Sequence, residues 1–151
     1  MGKDELLIRE LSDLTGVEME YSGDRMCDLA VDGRIVVLRY RPEEDDWLYF
    51  GVVSEPEDEQ PREVLAKALE LNLFGSETKG LHLGLFGNAL VLSGSVPMEG
   101  LTAEGFAERL LSLSRHIANL AEKIGESGSG VENAQLFGES PFQWGSGFMQ
   151  V

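Results

Sequence analysis

The chain has 151 residues, enough for one domain with a sizeable core, and apolar residues make up an ordinary 42% of it. Its 27 acids against 12 bases leave a net charge of −15, which repels nucleic acid and anionic membrane surfaces and favours a basic or apolar partner. The N-terminus lacks the apolar run of a signal peptide, and no stretch approaches the roughly 20 apolar residues of a membrane span, so a reducing cytoplasm is the expected compartment.

In chain order, residues 3–15 read as a helix, with Leu7, Leu11 and Leu14 recurring at i, i+4 and i+7, and Gly16 placed to end it. A short extended piece, "VEMEYS", follows. Residues 26–40 read as a hairpin turned by Asp32-Gly33, a two-residue turn needing positive φ at both positions. Cys27, Leu29 and Val31 alternate along its first strand. Cys27 is the single cysteine, which excludes an intramolecular disulfide; its place in that alternation predicts a buried thiol rather than a nucleophile. The second strand is apolar on both faces: Ile35 and Val37 on one, Val36, Leu38 and Tyr40 on the other. "WLYFGVV" (47–53) is a third strand of the same kind, so both faces of this sheet have something to cover.

After the acidic loop "SEPEDEQ", Pro61 suits the first position of a helix over 61–74, closed by Gly75. Its apolar residues form two lines, Val64-Ala68-Leu71 and Leu65-Leu69-Leu73, so it asks for two covers: its own sheet and a second copy of the chain. "GLHLGLFGNALVLSG" is a second hairpin, with Gly87-Asn88 suiting a type II′ turn. Thr102 caps a third helix over 103–124, whose Phe106, Leu110, Leu113, Ile117, Leu120 and Ile124 make one narrow seam. "GESGSG" (125–130) reads as a linker, and "AQLFGESPFQWGSGFMQV" (134–151) as an apolar tail with a single charge, Glu139. The order α-β-β-β-α-β-β-α predicts an α+β domain over 1–126, a five-stranded antiparallel sheet with helices mainly on one face, followed by linker and tail over 127–151.

Chemistry is sparse. The two histidines, His82 and His116, have no recognisable partner motif for nucleophilic catalysis. The acidic runs lack the alternation and bend glycine of a calcium loop, and "GLFGNA" joins strands rather than feeding a helix N-terminus as a phosphate loop does. No enzyme, metal or cofactor is expected. Surplus apolar surface points to a binding module.

The segments "LLIRELSDLTG" (6–16), "LAKALELNLFG" (65–75) and "ETKGLHLGLFGNALVLSGSVPMEGLTAEGFAERL" (77–110), taken in this order, resemble the class I type III secretion chaperones, the family of the Tir and exoenzyme chaperones. The resemblance spans roughly residues 3–124. It implies a homodimer, without nucleotide or other cofactor, that binds an extended N-terminal segment of a secreted effector in the bacterial cytoplasm. Release falls to the secretion ATPase. By this resemblance the dimer face takes in Leu65, Leu69, Asn72 and Leu73, supported by Leu83 and Leu85 on the fourth strand. Effector patches on the first helix and first three strands take in Leu7, Leu11, Leu29, Val31, Val36, Leu38, Trp47 and Tyr49, with ordinary core packing as the alternative and Trp47 and Tyr49 the better surface candidates. The tail departs from the family pattern. Its aromatics Phe137, Phe142, Trp144 and Phe148 are expected to anchor it in an effector-like groove of its own dimer or a neighbour, the alternative being a tail that contacts nothing. The rival to the chaperone reading is a dimeric adaptor or sensory domain unrelated to secretion, with an acidic enzyme third.

Overall fold

The computed structural model describes residues 2–21, 23–75 and 78–127. The four tail aromatics and residues 128–130 of the expected linker lie outside the described residues. Helix α1 spans Lys3–Thr15, β1 Met26–Val31, β2 Arg34–Arg41, β3 Asp46–Ser54, α2 Arg62–Phe74, β4 His82–Phe86, β5 Ala89–Pro97 and α3 Ala103–Ser127. The five strands form one antiparallel sheet in the order β1-β2-β3-β5-β4, leaving β1 and β4 at its edges.

Local sequence signals account for the boundaries. Gly16 and Gly75 close α1 and α2 at φ 73 and 71, the left-handed conformation that costs glycine least. Asp32 and Gly33 both take positive φ, as their turn requires, whereas Gly87 alone does so in the second hairpin. Thr102 Oγ1 accepts a 3.0 Å hydrogen bond from the Gly105 amide, capping α3. Two boundaries differ from expectation. Pro61 stands just before α2 at ψ 144 rather than inside it. Helix α3 runs through Gly125–Ser127, into the expected linker, because the buried Ile124 anchors a last turn that propensity alone would not hold. "VEMEYS" is not a strand: residues 17–21 carry no regular element, and Ser22 lies outside the described residues.

One face of the sheet carries the main core. The α3 seam from Phe106 to Ile124 is at most 2% exposed throughout, and Leu7, Ile8 and Leu11 of α1 join it with Val64, Ala68 and Leu71 of α2. Trp47 sits at the centre, with ring centroids 5.9 Å from Tyr21, 5.4 Å from Tyr40 and 5.5 Å from Phe106. Gly51 lets α3 approach closely: a Cβ there would stand 2.6 Å from Ile117 Cδ1. A second cluster, Val37, Phe50, Val52, Ala89 and Val91, lies on the opposite face.

Candidate protein-binding surfaces

The N-terminal turn of α1 is fixed by a buried carboxylate. Asp4 accepts 2.6 Å from Tyr21 Oη and 2.9 Å from Arg25 Nη1, tying α1 to the connection that leads into β1. Burial works to raise the Asp4 pKa, but the Tyr21 hydroxyl, nearby backbone amides and the Arg25 guanidinium outweigh it and hold it below the usual carboxylate value. Burial, and then the bond to Asp4, push the Tyr21 phenol upward. Between α1 and this connection lies a cavity of about 480 Å³, lined by both apolar and charged groups, among them Ile8, Arg9, Met19 and Arg25. Leu6 and Leu14 stand exposed on α1 at 47% and 49%.

All eight side chains expected in effector patches belong to the main core. Leu11, Val36, Leu38 and Trp47 are at 0% exposure, Leu29 at 2%, Leu7 and Tyr49 at 3% and Val31 at 8%. The expectation that Trp47 and Tyr49 stand on the surface is corrected: both pack against Phe106 beneath α3. Leu29 and Val31 do reach a cleft. With Val17, Ala107, Leu110 and Leu111 they line a cavity of about 220 Å³ where edge strand β1 meets α3 and the end of α1. Leu111 beside it is 39% exposed.

The six residues expected at a dimer face divide. Leu69, Leu73 and Leu85 are exposed at 71%, 76% and 55%, and Leu65 is half-buried. Leu83 is core, 7% exposed. Asn72 has an intramolecular role that sequence reasoning missed. Its Nδ2 donates to the Leu83 carbonyl and its Oδ1 accepts from the Leu83 amide, both at 2.8 Å. The side chain thus acts as one residue of a neighbouring strand for edge strand β4. The Asn-Leu end of "LAKALELNLFG" is the signal that marked the position.

Elsewhere the chemistry stays quiet. Burial pushes the Cys27 thiol up to about 12, with the Asp28 charge adding to it, so little thiolate forms at neutral pH. Burial, then Lys79, lowers the His116 pKa; its Nδ1 is 3.5 Å from Ser112 Oγ one turn away on α3. Among the described residues no three His, Cys, Asp or Glu side chains gather to hold a metal ion, and no helix is long and apolar enough to cross a membrane.

The sequence model of the Tir chaperone protein (CesT) family matches residues 6–121. The chain belongs to that family. It is a family of chaperones rather than enzymes. Among curated proteins, no sequence match reaches significance. Solved structures share the fold. The ExsC–ExsE complex matches at a TM-score of 0.70 and 19% identity, covering 82% of this chain and 97% of that one. The Yersinia pestis type III secretion chaperone SycH, in complex with a stable fragment of YscM2, matches at 0.58 and 20%, covering 79% and 99%. YbjN of E. coli matches at 0.57 and 19%, covering 83% and 93%.

Proposed function

We propose that this protein is a homodimeric type III secretion chaperone of the bacterial cytoplasm, which holds an extended N-terminal segment of a secreted effector soluble and ready for export. The fold is also that of YbjN, so the family match over residues 6–121 carries the reading. The SycH and ExsC complexes support it, since each pairs a chain of this fold with a second protein. The two-lined helix α2 is the dimer face, with Leu65, Leu69, Leu73 and Leu85 covered by a second copy.

The client adds along the edge of β1. An extended segment there gains main-chain hydrogen bonds, and its alternate side chains fill pockets. One such pocket is the cleft walled by Leu29, Val31 and Leu111. The remaining expected contact residues, Leu7, Leu11, Val36, Leu38, Trp47 and Tyr49, form the floor that holds this edge in place. The secretion ATPase releases the client; the chaperone itself uses no cofactor. The test is capture from native lysate with the tagged chain, followed by limited proteolysis of what is bound. One dominant protein protected only over a segment near its N-terminus is the expected result. A fully folded partner, or no partner while the chain is a stable dimer, overturns the reading.

A further inference from the structure

Both faces of the central strands are apolar, but the helices cover only one. Cross-strand partners place Val37 beside Phe50 and Val52 beside Val91, with Ala89 and Phe86 paired at the next row, all on the face away from the main core. Every helical residue of the hydrophobic core belongs to the other cluster; Met26 and Leu48, which pack against this one, are strand residues. Yet Val37, Phe50, Val52, Ala89 and Val91 are only 3, 8, 6, 1 and 8% exposed. These are the exposures of a covered layer, and the described helices lie on the other side.

We propose that the chain's own segment 136–151 covers this face, with Phe142, Trp144 and Phe148 docked on it. The point of departure suits it. Helix α3 runs alongside β3 in the same direction, with Phe106 beside Trp47 and Ile117 against Gly51. Ile124, seven residues on, lies about 10 Å further, so α3 ends past the end of β3, where Val52 and Ala89 begin the face away from the helices. The reach suits it too. From Ser127 to Phe137 an extended chain covers about 30 Å, against a sheet-to-layer spacing of about 10 Å. The pattern matches an extended ligand, because Phe142, Trp144 and Phe148 share one face at period two while Gly145 and Gly147 occupy the other. The composition also fits: Leu136 to Val151 carry seven large apolar side chains and a single charge, Glu139, in a chain otherwise crowded with acids. The tether raises the local concentration of the segment, so modest contacts suffice to hold it.

The experiment needs no client, so it stands apart from the chaperone reading. Acrylamide quenching of the full chain is compared with that of the Trp144→Phe chain, which isolates the Trp144 signal from the fully buried Trp47. Trp144 should be several-fold less quenchable than in a free peptide of residues 128–151. It should reach the peptide value when Phe86→Asp and Leu48→Asp are introduced together; both positions are partly exposed, and circular dichroism checks the fold. Phe142→Ser with Phe148→Ser, which leaves the described domain untouched, should release Trp144 as well. A Trp144 as quenchable as the peptide in the full chain overturns the proposal. So does protection that survives the sheet-face substitutions but is lost on dilution or in Leu69→Asp/Leu73→Asp, which would place the segment on a second copy or on α2.

Discussion

Replacing Leu69 and Leu73 by aspartate challenges α2 where the single chain leaves it most apolar. The two side chains keep 71% and 76% of their surface in water. Full burial of a leucine contributes about 1.5–3 kcal/mol, so covering three quarters of each contributes about 1–2 kcal/mol. A twofold interface brings four such side chains together, or about 4–8 kcal/mol, which is much of the roughly 8 kcal/mol of a micromolar complex. The aspartates remove this and set like charges against one another in a chain already at −15. The expected outcome is a dissociation constant raised by at least about a thousandfold, since each 1.4 kcal/mol is tenfold. Sedimentation velocity over a concentration series reads it: the parent chain sediments as a dimer, the variant as a monomer. The circular dichroism spectrum should be unchanged, because neither side chain is packed within its own chain. An unaltered dimer in the variant, or a parent chain that is monomeric at the same concentrations, refutes the reasoning.

Asp4→Asn should lower stability by on the order of 2 kcal/mol, the loss of charge-assisted bonds to Tyr21 and Arg25, measured by urea unfolding at neutral pH. Because the folded-state pKa of Asp4 is depressed, its contribution is full above the unfolded value of 3.8 and vanishes as pH falls through the lower folded value, so parent and variant stabilities should converge in that acid range. Asn72→Ala leaves the amide and carbonyl of Leu83 without their partner and should cost about 1–3 kcal/mol in the same assay; hydrogen exchange at the Leu83 amide should rise with it. At Gly94 a Cβ would meet Leu81 at 2.6 Å and the buried Tyr49 ring at 2.8 Å, so Gly94→Ala should destabilise by about 1–3 kcal/mol. Gly84→Ala, with open space around it, serves as the contrast and should stay within about 1 kcal/mol of the parent.

The features that match expectation are those that short stretches of chain determine. The α3 seam, the Thr102 cap and the Asp32-Gly33 turn each depend on residues a few positions apart, and all appear in the structure where the pattern puts them. Alternation gave the parity of each strand, but parity alone does not say how far a helix reaches. Leu83 and Leu85 share a face, yet one is 7% and the other 55% exposed. The Asn72 amide holds α2 over Leu83 and not over the strand's end. Trp47 and Tyr49 failed as surface candidates for a similar reason. Aromatics are frequent both in cores and in binding sites, and only the position of Phe106 on a distant helix decides between them. The pair Asn72–Leu83 joins elements separated by a turn, with no periodicity to announce it.

The two edges of the sheet are not equivalent, and the difference restricts where a client strand can add. On β4 the Asn72 side chain already takes both main-chain groups of Leu83, so a strand arriving there would have to displace two 2.8 Å hydrogen bonds. An exposed edge is a template for pairing, and a side chain that occupies its groups blunts that tendency. Edge strand β1 instead borders the apolar cleft of Leu29, Val31 and Leu111. Strand addition is therefore disfavoured at β4 where Asn72 binds Leu83, while α2 and the end of β4 turn Leu69, Leu73 and Leu85 outward. The same asymmetry separates the two proposed interfaces: the residues proposed for a client at β1, Leu29, Val31 and Leu111, and those proposed for a second protomer at α2, Leu65, Leu69, Leu73 and Leu85, do not overlap.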